Sequence, residues 1–224
     1  MADRADFDLV SIYDKLFNAY GQQHWWPGLD PFEICVGAIL TQAVAWKNVE
    51  KAITALKDAG MLSVKAISKA SLGQLAQHIR PTIYYNEKAR KLQCFTAFLQ
   101  KEYDGRLERL FALSVEEMRD QLLRVRGIGQ ETADSIILYA AKKPSFVVDA
   151  YTRRVLKRLG LINGNETYGS LRKLFMTSIP SDVKLYNEYH ALLVRHAKQR
   201  CRLRSPLCLG CPLNGGCVYF SKAR

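Results

Sequence analysis

Residues 122–141 read LLRVRGIGQETADSIILYAA. An amphipathic helical pattern runs into Gly127-Ile128-Gly129, and a second helix starts within two residues. Glycines allow the tight turn and let an anion approach the backbone. Successive N–H groups and the positive end of the following helix then face a phosphate oxygen. Ile128, between the glycines, pins the turn to the core. The bland alternative is an ordinary helix–helix connection whose glycines only make a turn. The charge of the chain favours the phosphate reading: 33 Lys+Arg against 21 Asp+Glu leave +12. Such an excess speaks to partners, with nucleic acid first and an anionic membrane surface second.

The rest of the chain is helical in pattern, with strand signals nearly absent. Helices are expected from Phe7 to Tyr20, Phe32 to Gln42 behind Pro31, Asn48 to Ala59, and Asn86 to Tyr103. Ser63 and Ser71 each start a short helix, the second stopping before Pro81. Ser114 followed by Glu117 is a capping-box pattern ahead of Met118 to Val125. Further helices are expected at Thr132 to Ala141, Ala150 to Leu159, Tyr168 to Thr177 and Leu185 to His196. The expected architecture is all-α, with about ten helices. At 224 residues and 48% hydrophobic, the chain suits one large domain or two small interleaved ones with a sizeable core. No apolar run is long enough to cross a bilayer, and Met1 to Asp8 is too polar for a signal peptide.

Beyond the second helix of the hairpin, Phe146-Val147-Val148 carry Asp149 from the interior to a helix start. An aspartate there is an N-cap worth roughly 1 kcal/mol. A cap also fixes the orientation of its carboxylate. Beside a DNA-binding hairpin, a fixed carboxylate stabilises an oxocarbenium-like sugar or activates water against it.

Cys201, Cys208, Cys211 and Cys217 crowd the last quarter of the chain, separated by six, two and five residues. Four thiolates in so short a loop suit an iron–sulfur cluster or a structural zinc. Arg195, Lys198, Arg200, Arg202, Arg204 and Lys222 surround them. Cys35 and Cys94 stand alone in apolar helical patterns and read as small buried hydrophobes. With no export signal, this usage implies a reducing intracellular compartment, DNA-containing, such as the cytoplasm of a prokaryote.

Together these motifs resemble the endonuclease III branch of the helix-hairpin-helix/Gly-Pro-Asp DNA glycosylases. The hairpin, the Pro144 to Asp149 spacing and the cysteine loop carry the likeness, with Leu40-Thr41-Gln42, Tyr85-Asn86-Glu87-Lys88-Ala89 and His196 in support. The resemblance spans roughly residues 32–217. It implies a six-helix barrel over 31–141, with the hairpin at 122–141. A second helical domain follows, made of 1–30 plus 142–224 and ending in the loop 201–217, with DNA in a groove between the two. It also implies a [4Fe–4S] cluster on the four cysteines, Asp149 as the essential carboxylate, and Gln42 near the gap left by an extruded nucleotide. Arg126, Gly127, Ile128, Gly129, Gln130 and Glu131 become the DNA-binding turn of a monomer that takes double-stranded DNA with a damaged base.

One departure bears on mechanism. Bifunctional members carry a lysine two residues after the second glycine, where this chain has Glu131. A carboxylate cannot form a Schiff base with C1′ of the sugar. Lys142 and Lys143 are the nearest lysines in sequence, about three helical turns on. The expectation is a monofunctional glycosylase that hydrolyses the base and leaves the backbone intact.

A second local likeness, Trp25-Trp26-Pro27 with residues 37–42 and Trp46, is to the 3-methyladenine subgroup. It makes Trp25, Trp26 and Trp46 the base pocket. Electron-rich indoles suit a cationic alkylated purine, whose glycosidic bond is already weak. Two alternatives stay open: a glycosylase for oxidised or mismatched bases, and a non-catalytic DNA-binding or redox module.

Overall fold

The structure, a computed structural model, describes residues 8–25 and 30–222. The chain divides into two compact units: Trp26–Lys143, and Met1–Trp25 together with Pro144–Arg224. Among the described residues there is no strand and there are thirteen α-helices.

The unit 26–143 is built around α2 (Pro31–Leu40), in which every residue from Ile34 to Leu40 is buried. Pro31 at the first turn and Asp30 as cap start it, with Asp30 accepting the Glu33 N–H at 2.9 Å. α3 (Trp46–Asp58) presents Val49, Ala52, Ile53 and Leu56 to the interior. α4 (Val64–Lys69) and α5 (Leu72–His78) begin at Ser63 and Ser71, whose hydroxyls cap them. Both pack on α6 (Tyr85–Tyr103), the longest helix described. α7 (Leu107–Phe111) is a short turn that the sequence pattern does not announce. α8 (Val115–Leu123) opens with the expected Ser114–Glu117 capping box. The expected helix 132–141 is instead α9 (Gln130–Ser135) running into a π-helical turn at Ile136–Ala140. All five residues of that turn are buried, so packing on every side, rather than backbone preference, sets its winding.

The other unit packs α1 (Leu9–Tyr20), α10 (Ala150–Leu159), α11 (Tyr168–Ser178) and α12 (Val183–Gln199). Its core is aromatic: Phe146 stacks on Phe175 with ring centroids 3.8 Å apart, and Tyr186 and Tyr189 meet Phe146 edge-on. The Tyr189 hydroxyl donates to the Leu9 carbonyl at 2.8 Å, tying α12 to α1. The cysteine loop follows α12, and α13 (Val218–Lys222) returns the chain to α10. No helix of the described residues is long and apolar enough to cross a membrane.

Candidate active site

In the unit 26–143 the hairpin is held from three directions. Gly127 has φ +91°, and a Cβ there would lie 2.3 Å from Cγ of Lys91, so the fold itself requires glycine. Gly129 is different. Its backbone is extended, with φ −91° and ψ 179°, and a Cβ would meet nothing within 4 Å. The bare Cα of Gly129 therefore faces open space ahead of α9, where an anion can come close. Behind it, Arg119 of α8 donates from Nε to both oxygens of Asp134, at 3.0 and 3.3 Å, and from Nη2 to Gln130 at 3.1 Å. Asp134 is fully buried.

Gln42, expected near an extruded nucleotide, spends its amide inside the fold. Its Nε2 donates to the Gly127 carbonyl at 3.2 Å and to the Thr132 hydroxyl at 2.9 Å, while its Oε1 accepts from Lys91. The neighbouring Ala43 has φ +56°, a left-handed conformation costly for alanine. Lys91 is an amine at the hairpin that sequence spacing did not foresee. Lys143, one of the two lysines near in sequence, donates to the Leu113 carbonyl.

A second exposed feature of this unit escaped the sequence reading. Ile83 and Tyr84 have φ +54° and +49°, and are 52% and 70% exposed. Two apolar side chains on a strained, projecting backbone suit insertion between bases. The buried Lys88 supports them, its ammonium donating to the carbonyls of Thr82 at 2.6 Å and Leu40 at 2.9 Å. Burial, helped by the charge of Lys91, pulls its pKa down to about 8. The available signal was two apolar residues following Pro81 in a link between helices.

In the other unit, Asp149 caps α10, accepting the Thr152 N–H on Oδ1 at 2.7 Å. Phe146, Val147 and Val148 before it are buried, as expected. Its Oδ2 lies 3.5 Å from Nε2 of His190 on α12, and the two side chains are 12% and 8% exposed. Burial pushes the Asp149 carboxyl up, but the nearby His190 imidazole and the Thr152 N–H outweigh it, leaving the group below its ordinary value. Trp25 meets the His190 ring edge-on, with centroids 6.5 Å apart. Its Nε1 is buried without a hydrogen-bond partner among the described residues. The sequence reading missed His190, which lies on an apolar helical face without a local motif.

The remaining expected residues divide as follows. Trp46 is half-buried at the start of α3 in the unit 26–143, whereas Trp25 belongs to the other unit. Trp26 lies outside the described residues. Arg126 and Glu131 are exposed at the hairpin, and Ile128 is buried beneath it.

Cys201, Cys208, Cys211 and Cys217 line one pocket, together with Arg158, His196, Arg200 and Tyr219. Burial pushes the Cys211 thiol up, and the other three cysteines push it further, so four thiolates there need a compensating positive centre. Among the described residues no three side chains converge closely enough for one metal ion. Arg158 donates from Nη1 to Cys201 Sγ at 3.3 Å, and His196 Nε2 lies 3.9 Å from Cys211 Sγ. Burial pulls the His196 pKa down to about 4, leaving a neutral imidazole whose Nδ1 pairs with the Tyr20 hydroxyl at 2.9 Å.

Residues 36–181 match the family described as HhH-GPD superfamily base excision DNA repair protein. A provisionally named DNA repair glycosylase of Methanocaldococcus jannaschii is 42% identical over 215 residues, covering 95% of this chain and 97% of that protein. The structure of a non-covalent endonuclease III–DNA complex superposes with a TM-score of 0.83 at 24% identity, over 96% of both chains, a likeness of fold. The H. pylori 3-methyladenine DNA glycosylase bound to 1,N6-ethenoadenine has a TM-score of 0.77 at 28% identity, over 86% of this chain and 98% of that one.

Proposed function

Since this chain belongs to the HhH-GPD superfamily of base excision DNA repair proteins, we propose that it is a monofunctional glycosylase removing alkylated purines, such as 3-methyladenine, from duplex DNA. The observation that carries this reading is Asp149, a nearly buried carboxylate held as an anion beside His190, whose ring meets the Trp25 indole edge-on. The hairpin position that bears the amine in bifunctional relatives is Glu131. Water adds to C1′ as the C1′–N bond breaks, and the bonding electrons leave with the base, cancelling the positive charge of an alkylated purine. No proton has to reach the leaving group. Asp149 stabilises the cationic sugar and takes the proton of the attacking water. The buried Nε1–H of Trp25 suits an acceptor on an extruded base, which would relieve an unsatisfied donor costing about 1–3 kcal/mol. Gly129 admits a phosphate, and Ile83 and Tyr84 fill the space a displaced base leaves. Gln42 then acts by bracing the hairpin.

The test is a base-release screen on alkylated, deaminated, oxidised and mismatched duplexes, each with and without alkali. Release of alkylated purine, with strand breaks only after alkali, is expected. Breaks without alkali, or a borohydride-trapped covalent adduct, would overturn the monofunctional assignment and make Lys91 the first amine to substitute. Preference for oxidised or mismatched bases would overturn the substrate class.

Cys201, Cys208, Cys211 and Cys217, which line one pocket, would hold a [4Fe–4S] cluster through their thiolates. The cluster would supply the positive centre that holds the loop together and presents Arg202 and Arg204 to DNA. The protein acts as a monomer. Anaerobic purification is expected to yield a brown protein with about four irons per chain; a colourless protein with stoichiometric zinc would replace the cluster by a structural ion.

A further inference from the structure

We propose that His190 is a positioning residue for base release: from α12 it grips Asp149 Oδ2 while Thr152 of α10 grips Oδ1, fixing the carboxylate between two helices. This rests on Asp149 being the carboxylate of the reaction.

Capping alone does not call for such an arrangement. Asp8, Asp30 and Asp182 cap α1, α2 and α12 through the same backbone bond at exposed positions. Asp149 makes that bond nearly buried and facing an imidazole. Burying a carboxylate is costly unless a donor compensates it. The imidazole of His190 faces that carboxylate, Nε2 lying 3.5 Å from Oδ2, and across its ring it meets the edge of Trp25. One imidazole thus links the carboxylate to the indole segment. Besides burial, His190 from α12 and Thr152 from its own helix act on Asp149.

Two His190 variants and three measurements test this. His190→Gln keeps an N–H donor; His190→Leu removes it. Asp149→Asn assigns the Asp149 carboxyl resonance in carbon-detected NMR of labelled protein. In His190→Leu that carboxyl should titrate at higher pH than in the wild type, because the anion has lost its donor, with His190→Gln between them. Single-turnover base release should fall about 10- to 100-fold in His190→Leu, the range of a hydrogen bond to a charged group. Partial recovery in His190→Gln and unchanged affinity for an abasic duplex should accompany the loss. An unmoved Asp149 titration in His190→Leu would overturn the proposal. So would equal rates in the wild type and both variants. A wild type releasing no base from any duplex would instead remove the glycosylase reading, and the NMR arm would still decide whether His190 holds the carboxylate.

Discussion

Asp149→Asn is expected to lower base release by about a thousandfold or more while DNA affinity changes little. The scale follows from removing a preorganised charge aimed at a developing cation. The substitution is clean because asparagine caps a helix about as well as aspartate, so Thr152 keeps its acceptor and α10 its start. What disappears is the negative charge. Burial works against that charge, but His190 and Thr152 hold it, so the carboxyl titrates below the ordinary value of about 3.9 and is ionised throughout the neutral range. The sign for stability follows. A depressed folded pKa contributes stability that is present above the unfolded value and lost as pH falls through the folded one. The acid limb of base release should accordingly lie below about pH 3.9 wherever the fold survives. Single-turnover kinetics on the released base measures the effect; an Asn variant as fast as the wild type would transfer the chemistry to another residue.

Arg119→Met should strongly destabilise the unit 26–143. Asp134 has no exposure and receives Arg119 Nε on both oxygens, so the variant leaves a buried carboxylate without its guanidinium. Breaking a buried pair from one side costs about 3–5 kcal/mol. For a chain of this size that is roughly 6–20 °C in Tm. Arg119→Lys should recover only part of it, since an ammonium cannot reproduce the guanidinium's planar set of donors to Asp134 and Gln130. Thermal unfolding by circular dichroism gives the answer, and a drop below about 2 °C would show that Asp134 is otherwise satisfied. The pair matters for function because it braces the start of α9, where Gly129 opens to an anion.

The features legible in the chain are those whose physics is local. Ser63, Ser71, Ser114 and Asp149 announce their helices because a cap reaches only three residues along the backbone. The all-helical class follows from periodicity, and the turn at Gly127 from a conformation few other residues tolerate. The four cysteines reach one pocket because a short loop leaves them little choice.

Residues that meet across the fold left no such trace. Gln42 is 85 positions from Gly127, and nothing beside it in sequence reveals that its amide is consumed in bracing the hairpin. Lys91 reads as one more surface cation of an amphipathic helix until its stem closes over Gly127. His190 sits on a helix face otherwise filled by Tyr186, Tyr189 and Leu193, where periodicity distinguishes buried from exposed and says nothing of what a buried ring touches. Composition, spacing and capping therefore determined the helical class, the turn and the cysteine loop, each governed by forces acting within a few residues. Tertiary packing alone decided which amine reaches the hairpin and which imidazole meets Asp149, because the energy of a buried charge depends on neighbours supplied by distant parts of the chain.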